Sequence, residues 1–159
     1  MNIPQHYIPN VLSTRDKKTQ KAHIKKLKQN YRHNRFINRP KLKSFKSRES
    51  PHVVRAKKMY KLRVIKPSKT LARKTQCSLG TLRKIAKKGK GAYYSSGSRP
   101  NQTAHSWARA RLASAVSGGN ASISDYHLFS KGCKPSSKAL RLARKTCKKQ
   151  NKKCVRKHI

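Results

Sequence analysis

Acidic residues are almost missing from this chain: its 159 residues include three Asp+Glu, namely Asp16, Glu49 and Asp125, against 43 Lys+Arg. Three carboxylates spread this widely exclude paired-carboxylate hydrolysis and a two-metal centre. A triad drawn from Ser95, Ser96 or Ser98 with His105 and Asp125 joins residues by type only, with no nucleophile elbow to position them. No enzymatic activity is therefore expected. No apolar run approaches the ~18 residues of a membrane span, and Met1 to His6 lacks the apolar stretch of a signal peptide. The glycosylation sequons at Asn101 and Asn120 then read as coincidence. Cys77, Cys133, Cys147 and Cys154 contain no CxxC pair, which argues against zinc, and the seven His are scattered. Free thiols in a reducing cell are the expectation. Neither a metal, a cofactor nor a small-molecule substrate is expected.

What the chain has instead is positive charge, a formal +40. Duplex DNA carries one charge per ~1.7 Å of axis, so neutralising +40 would take roughly 20 base pairs. Apolar residues make up 34%, below the roughly 45–50% of ordinary domains. The charge is uneven: residues 1–66 carry +18, 67–132 carry +11 and 133–159 carry +11, while residues 91–130 carry only +2. This predicts a basic N-terminal arm with two helices (1–66), a helical core (67–132) and a basic C-terminal helix or tail (133–159). The expected fold class is mainly α, a small helical core with a short strand and turn-rich loop, flanked by extended and helical basic arms.

Local signals place the elements. Ser13-Thr14-Arg15-Asp16 resembles a capping box ahead of a helix to about Tyr31 with a thin stripe of Ile24, Leu27 and Tyr31. Residues 34–50 read as an extended arm. Ser50-Pro51 starts a second helix to about Tyr60, and residues 62–65 a short strand. Ser68 caps a third helix. Gly89-Lys90-Gly91 is expected to end the helical unit that follows, with a strand over residues 92–94. Thr103 caps a helix to about Ser117, one short helix is expected from Ser122 to Lys131, and Pro135-Ser136-Ser137 opens a last one with Leu140, Ala143 and Cys147 on its apolar stripe.

Two stretches are candidate sites. Residues 71–85 have the spacing of a helix-turn-helix, with Gln76 where glycine usually makes the turn. Its second helix offers Ser78, Thr81, Arg83, Lys84, Lys87 and Lys88 to nucleic acid; the alternative is a helical hairpin buried for packing. The second stretch is Tyr93, Tyr94, Ser95, Ser96, Gly97, Ser98, Arg99, Pro100, Asn101, Gln102 and Thr103, followed by Trp107. Its hydroxyls, backbone N–H groups and Arg99 before a helix start resemble an anion pocket. The alternative is a structural corner whose polar groups satisfy the turn.

The run from Gly89 to Trp107, continued by Ala110 to Ser114, Gly118-Gly119 and Asp125, resembles an uncharacterised family found in tailed phages and large nucleocytoplasmic DNA viruses. Residues 77–79 and the arm 40–47 look like the algal and amoebal virus versions. The resemblance implies a viral setting and brings no catalytic residues. The expected function is a non-enzymatic virion structural protein, a minor capsid or internal protein whose arms bind anionic surfaces, capsid proteins or double-stranded DNA. Its expected location is the virion, and the cytoplasm or nucleus of the infected host cell. The alternative is a nucleic-acid-binding protein using the helix-turn-helix-like unit.

Overall fold

A chain with three carboxylates can place few acids at its helix N-termini, Asp16 being one, and hydroxyls do most of the capping. In the computed structural model, which describes residues 2–150, eight α-helices follow a short 3-10 turn at Gln5–Tyr7: α1 Thr14–Arg32, α2 Pro51–Tyr60, α3 Lys69–Thr75, α4 Leu79–Ser96, α5 Ala104–Val116, α6 Asn120–Ser124, α7 Tyr126–Gly132 and α8 Lys138–Lys149. Ser13, Ser50, Ser68 and Ser137 each accept a first-turn backbone N–H into α1, α2, α3 and α8. Ser78 does so for α4 and Thr103 for α5. A cap of this kind contributes about 1 kcal/mol. The fold is mainly helical, with no strand among the described residues.

Several expectations are corrected. Residues 62–65 follow a left-handed Lys61 (φ 52°) as irregular chain that buries Ile65. Residues 92–94 lie inside α4, because Gly89-Lys90-Gly91 does not stop it. Gly89 is there for proximity: a Cβ at this position would stand 2.8 Å from the Ala108 Cα on α5. The single helix expected over 122–131 is two, broken at Asp125, whose backbone (φ −104°, ψ 8°) leaves the helical region while its side chain turns inward. The thiol expectation also fails, since Cys77 and Cys133 form an antiparallel bridge pair and a disulfide. Cys147 is disulfide-bonded as well.

Among the described residues two compact units form, one from 2–48 with 90–107 and one from 49–89 with 108–150. Neither follows the 1–66, 67–132 and 133–159 division that charge suggested. In the first, Leu27, Tyr93 and Ala104 make a small core with Ile37, Tyr94 and Trp107 against it. The second holds the larger core: Tyr60, Ile65, Leu71, Leu82, Ile85, Leu112, Val116, Phe129, Leu140 and Ala143 are all buried in one cluster. Burying one such Leu, Ile or Phe side chain is worth about 1.5–3 kcal/mol. The Tyr60 hydroxyl donates to the Val116 carbonyl at 2.6 Å, and burial pushes its pKa up. Both units are basic, with 16 Lys+Arg against one acid over 1–48 and 90–107, and 27 against two over the rest of the chain. Residues 2–48 thus form a compact unit together with 90–107.

Candidate functional site

The turn between α3 and α4 is made by Gln76 in the left-handed region (φ 56°, ψ 34°). A non-glycine residue there needs support from its surroundings, and three contacts provide it. The Gln76 carbonyl accepts Lys134 N–H at 2.9 Å, its side-chain oxygen accepts the Ser136 hydroxyl at 3.0 Å, and Ser78 N–H donates to the Gly132 carbonyl at 2.8 Å. The Cys77–Cys133 bond lies within this set. A helix, a three-residue turn and a longer helix therefore occur where the spacing placed them.

The six residues named for nucleic acid divide. Ser78 is exposed but its hydroxyl caps α4, accepting Thr81 N–H at 3.2 Å. Thr81 is buried against Gly132, so it packs and presents nothing outward. Lys88 donates to Asp125 Oδ1 at 2.6 Å. Arg83, Lys84 and Lys87 remain exposed on α4. Spacing alone could not separate these fates, since all six sit within three turns of one helix.

The second stretch is helix through Ser96 and becomes loop only at Gly97, which leaves α4 at φ +91°. A Cβ on Gly97 would stand 2.9 Å from Ile24 Cγ2. Beyond it, the polar groups face protein. Asn101 (φ 61°) accepts Leu42 N–H at 2.7 Å and donates to the carbonyls of Leu42 and Phe45 at 3.1 and 2.8 Å. Ser98, fully buried, takes Arg39: the guanidinium donates to its hydroxyl and, at 3.4 Å, to its carbonyl. Gln20 donates to the same carbonyl at 3.1 Å. Arg39 also lies 4.8 Å from the Tyr93 ring centroid, while the Tyr93 hydroxyl donates to the Gln102 carbonyl at 3.1 Å. Ser106 and Thr103 cap each other's N–H groups, and the Ser106 hydroxyl reaches Gln102 at 2.7 Å. Pro100 is buried; Arg99, Ser96 and Thr103 are exposed.

These oxygens receive a guanidinium and a peptide backbone, so the loop acts as a structural corner. Its cargo is the segment 39–45. The far end of that segment is held by Asp16, which accepts from Ser44 through both its backbone N–H (3.1 Å) and its hydroxyl. Those bonds hold the Asp16 carboxyl below its ordinary pKa. Stability from this contact is present above the usual carboxylate range and is lost as pH falls through the lowered value.

Arg39 and Gln20 were missed by sequence reasoning. Gln20 extends the α1 stripe by one four-residue step before Ile24, and that was its available signal. Nothing marks Arg39 among 43 cations. Replacing Asn101 by Ala removes three hydrogen bonds and leaves a Cβ residue at positive φ, for an expected cost of about 1–3 kcal/mol. Trypsin should then cut within 41–48 at least about tenfold faster, followed by mass spectrometry. Asn101→Gly, which accepts the φ, should release the segment too if the bonds rather than the backbone hold it.

All three carboxylates are used internally. Asp16 serves Ser44, Glu49 pairs with Lys57, and fully buried Asp125 accepts Lys88 and a bidentate Arg111, at 3.1 Å from Nε and 2.8 Å from Nη2. No cluster of three His, Cys, Asp or Glu suited to a metal occurs among the described residues. None of their helices is long and apolar enough to cross a membrane.

A model of a family of unknown function (DUF5824) matches residues 4–127. The matched span includes α1, the loop after α4, Asp125 and the intervening helices. No curated protein matches, and no solved structure does.

Proposed function

From the premise that the chain belongs to this family of unknown function, we propose that it is a non-enzymatic structural protein of a virus particle whose cationic surface neutralises nucleic acid. One observation carries the reading: each of the three side-chain carboxylates already has a partner within the chain, with Lys57, Lys88 and Arg111 taking up Glu49 and Asp125, so the great excess of the 43 cations has no side-chain carboxylate of its own to meet. Such a surface releases counterions when it meets a polyanion. The viral setting rests on the resemblance of the Gly89–Trp107 run. The Cys77–Cys133 disulfide supports a particle over a reducing cytosol, where such bonds seldom persist. The chain should be found in purified particles by quantitative mass spectrometry, in a copy number that stays constant through successive purification steps. Its absence there contradicts the reading.

A second reading uses α3 and α4 for sequence-selective DNA binding, with exposed Arg83, Lys84 and Lys87 as its support. It requires Arg83→Ala and Lys84→Ala to weaken one preferred duplex more than unrelated duplexes. Equal losses on all sequences favour neutralisation.

A further inference from the structure

The end of α1 with the residues just beyond it, and the last turn of α4, bring three aromatic rings together in the first unit. Tyr31 and Tyr94 stack with centroids 5.8 Å apart and planes 11° from parallel. Phe36 meets both edge-on, at 6.0 Å from Tyr31 and 5.1 Å from Tyr94. Tyr93 stands behind Tyr94 at 5.1 Å and is buried. Phe36, in contrast, is 62% exposed.

An exposed phenylalanine is ordinary when it dangles, but this one is held. Beyond α1, Asn34 adopts the left-handed conformation (φ 56°) and donates its N–H to the Tyr31 carbonyl at 3.0 Å, while Arg35 N–H reaches back to the Asn30 carbonyl at 2.8 Å. This is the Schellman pattern, which ends a helix and folds the following residue back on it. Phe36 is that following residue. Holding the ring in place this way lowers the entropy lost on binding.

The surroundings select the occupant. Arg32 and Arg35 flank the cluster in sequence, Lys90 precedes Tyr94 by one helical turn, and all three are exposed. Residues 17–48 and 90–107 contain no acid at all. Rings rimmed by cations suit an anionic strand whose bases are free to stack. We propose that Tyr31, Phe36 and Tyr94 form a stacking platform for an unpaired base of a single-stranded nucleic acid, with Arg32, Arg35 and Lys90 meeting the adjacent phosphates. This rests on the neutralisation reading and assigns the aromatic part of the surface to the single-stranded form.

The test uses the full oxidised chain with three fluorescently labelled probes at one ionic strength: a dT20 oligonucleotide, an abasic strand of equal length, and a duplex. Phe36→Ala should weaken dT20 binding at least about fivefold, the lower bound for one stacked base, and leave the abasic strand and the duplex within about twofold. Phe36→Leu, which keeps apolar bulk without the ring, should behave like Phe36→Ala. An unchanged dT20 affinity in both variants, with all three probes still bound, overturns the platform and leaves neutralisation standing. Failure of every probe to bind the unaltered chain overturns both. Loss of self-association in Phe36→Ala with unchanged dT20 affinity also overturns it, making the rings a contact between copies.

Discussion

Replacing Cys77 and Cys133 together by alanine lowers stability by about 4 kcal/mol on the loop-entropy account, because the bond closes a segment 56 residues apart in sequence. At 2–4 °C per kcal/mol for a chain of this size, the thermal midpoint should fall by roughly 8–16 °C. The native state also loses the covalent member of the set of contacts around Gln76, leaving the turn between α3 and α4 to the hydrogen bonds alone. The double variant isolates this bond, whereas a reductant acts on Cys147 as well. Calorimetry of the double variant beside the unaltered chain, both without reductant, gives both numbers. A midpoint within about 2 °C of the unaltered chain would mean that the hydrogen bonds from Lys134, Ser136 and Ser78 suffice without the disulfide.

Asp125→Ala is the second large effect, about 2–3 kcal/mol. The carboxylate is fully buried and accepts three charge-assisted bonds from Lys88 and Arg111. Removing the acid from a buried ion pair usually costs 3–5 kcal/mol. The value here is set lower, at about 2–3 kcal/mol, because both cations are partly exposed and turn to water once freed. Lys88→Met alone should cost under about 1 kcal/mol, since Arg111 still answers the carboxylate. Urea unfolding of the two single variants and the pair measures the coupling. A loss below about 0.5 kcal/mol for Asp125→Ala would show that the triad contributes nothing net and that the break between α6 and α7 has another cause.

The helix starts were legible because serine and threonine caps depend on residues within one turn: Ser13, Ser50, Ser68, Ser137 and Thr103 are all where the chain pattern put them. The stripe of Leu140, Ala143 and Cys147 on α8 was legible for the same reason. Long-range pairings were not. Cys77 and Cys133 meet because a turn and a helix end run antiparallel, and no spacing rule encodes that. Gly89 looked like a helix stop, but its role is set by Ala108, nineteen residues away. The basic segment 34–50 read as an extended arm with no visible anchor because its anchors, Asp16 and Asn101, are distant in sequence and its own residues are rich in Lys, Arg and Ser. The stretch 93–103 was visible as a pattern while its purpose was not, since the same hydroxyls and amides suit an anion or a clasped backbone.

Charge that first looked like a property of tails thus belongs in large part to folded bodies, and α1 shows how. Its Gln20, Ile24 and Leu27 face inward, while exposed Lys18, Lys21, Lys25 and Lys26 cover the outside. Fixed cations of this kind meet a polyanion without the ordering entropy a disordered tail loses on binding.

Titrating a 25-base-pair duplex with the full oxidised chain from 50 to 400 mM NaCl measures how many phosphates the folded surface meets. Neutralisation by the folded surface predicts a linear fall of log K with log salt, of slope steeper than about −5, corresponding to six or more phosphates met, and nearly equal for duplexes of unrelated sequence. A slope shallower than about −2, or no binding at 50 mM, would contradict it.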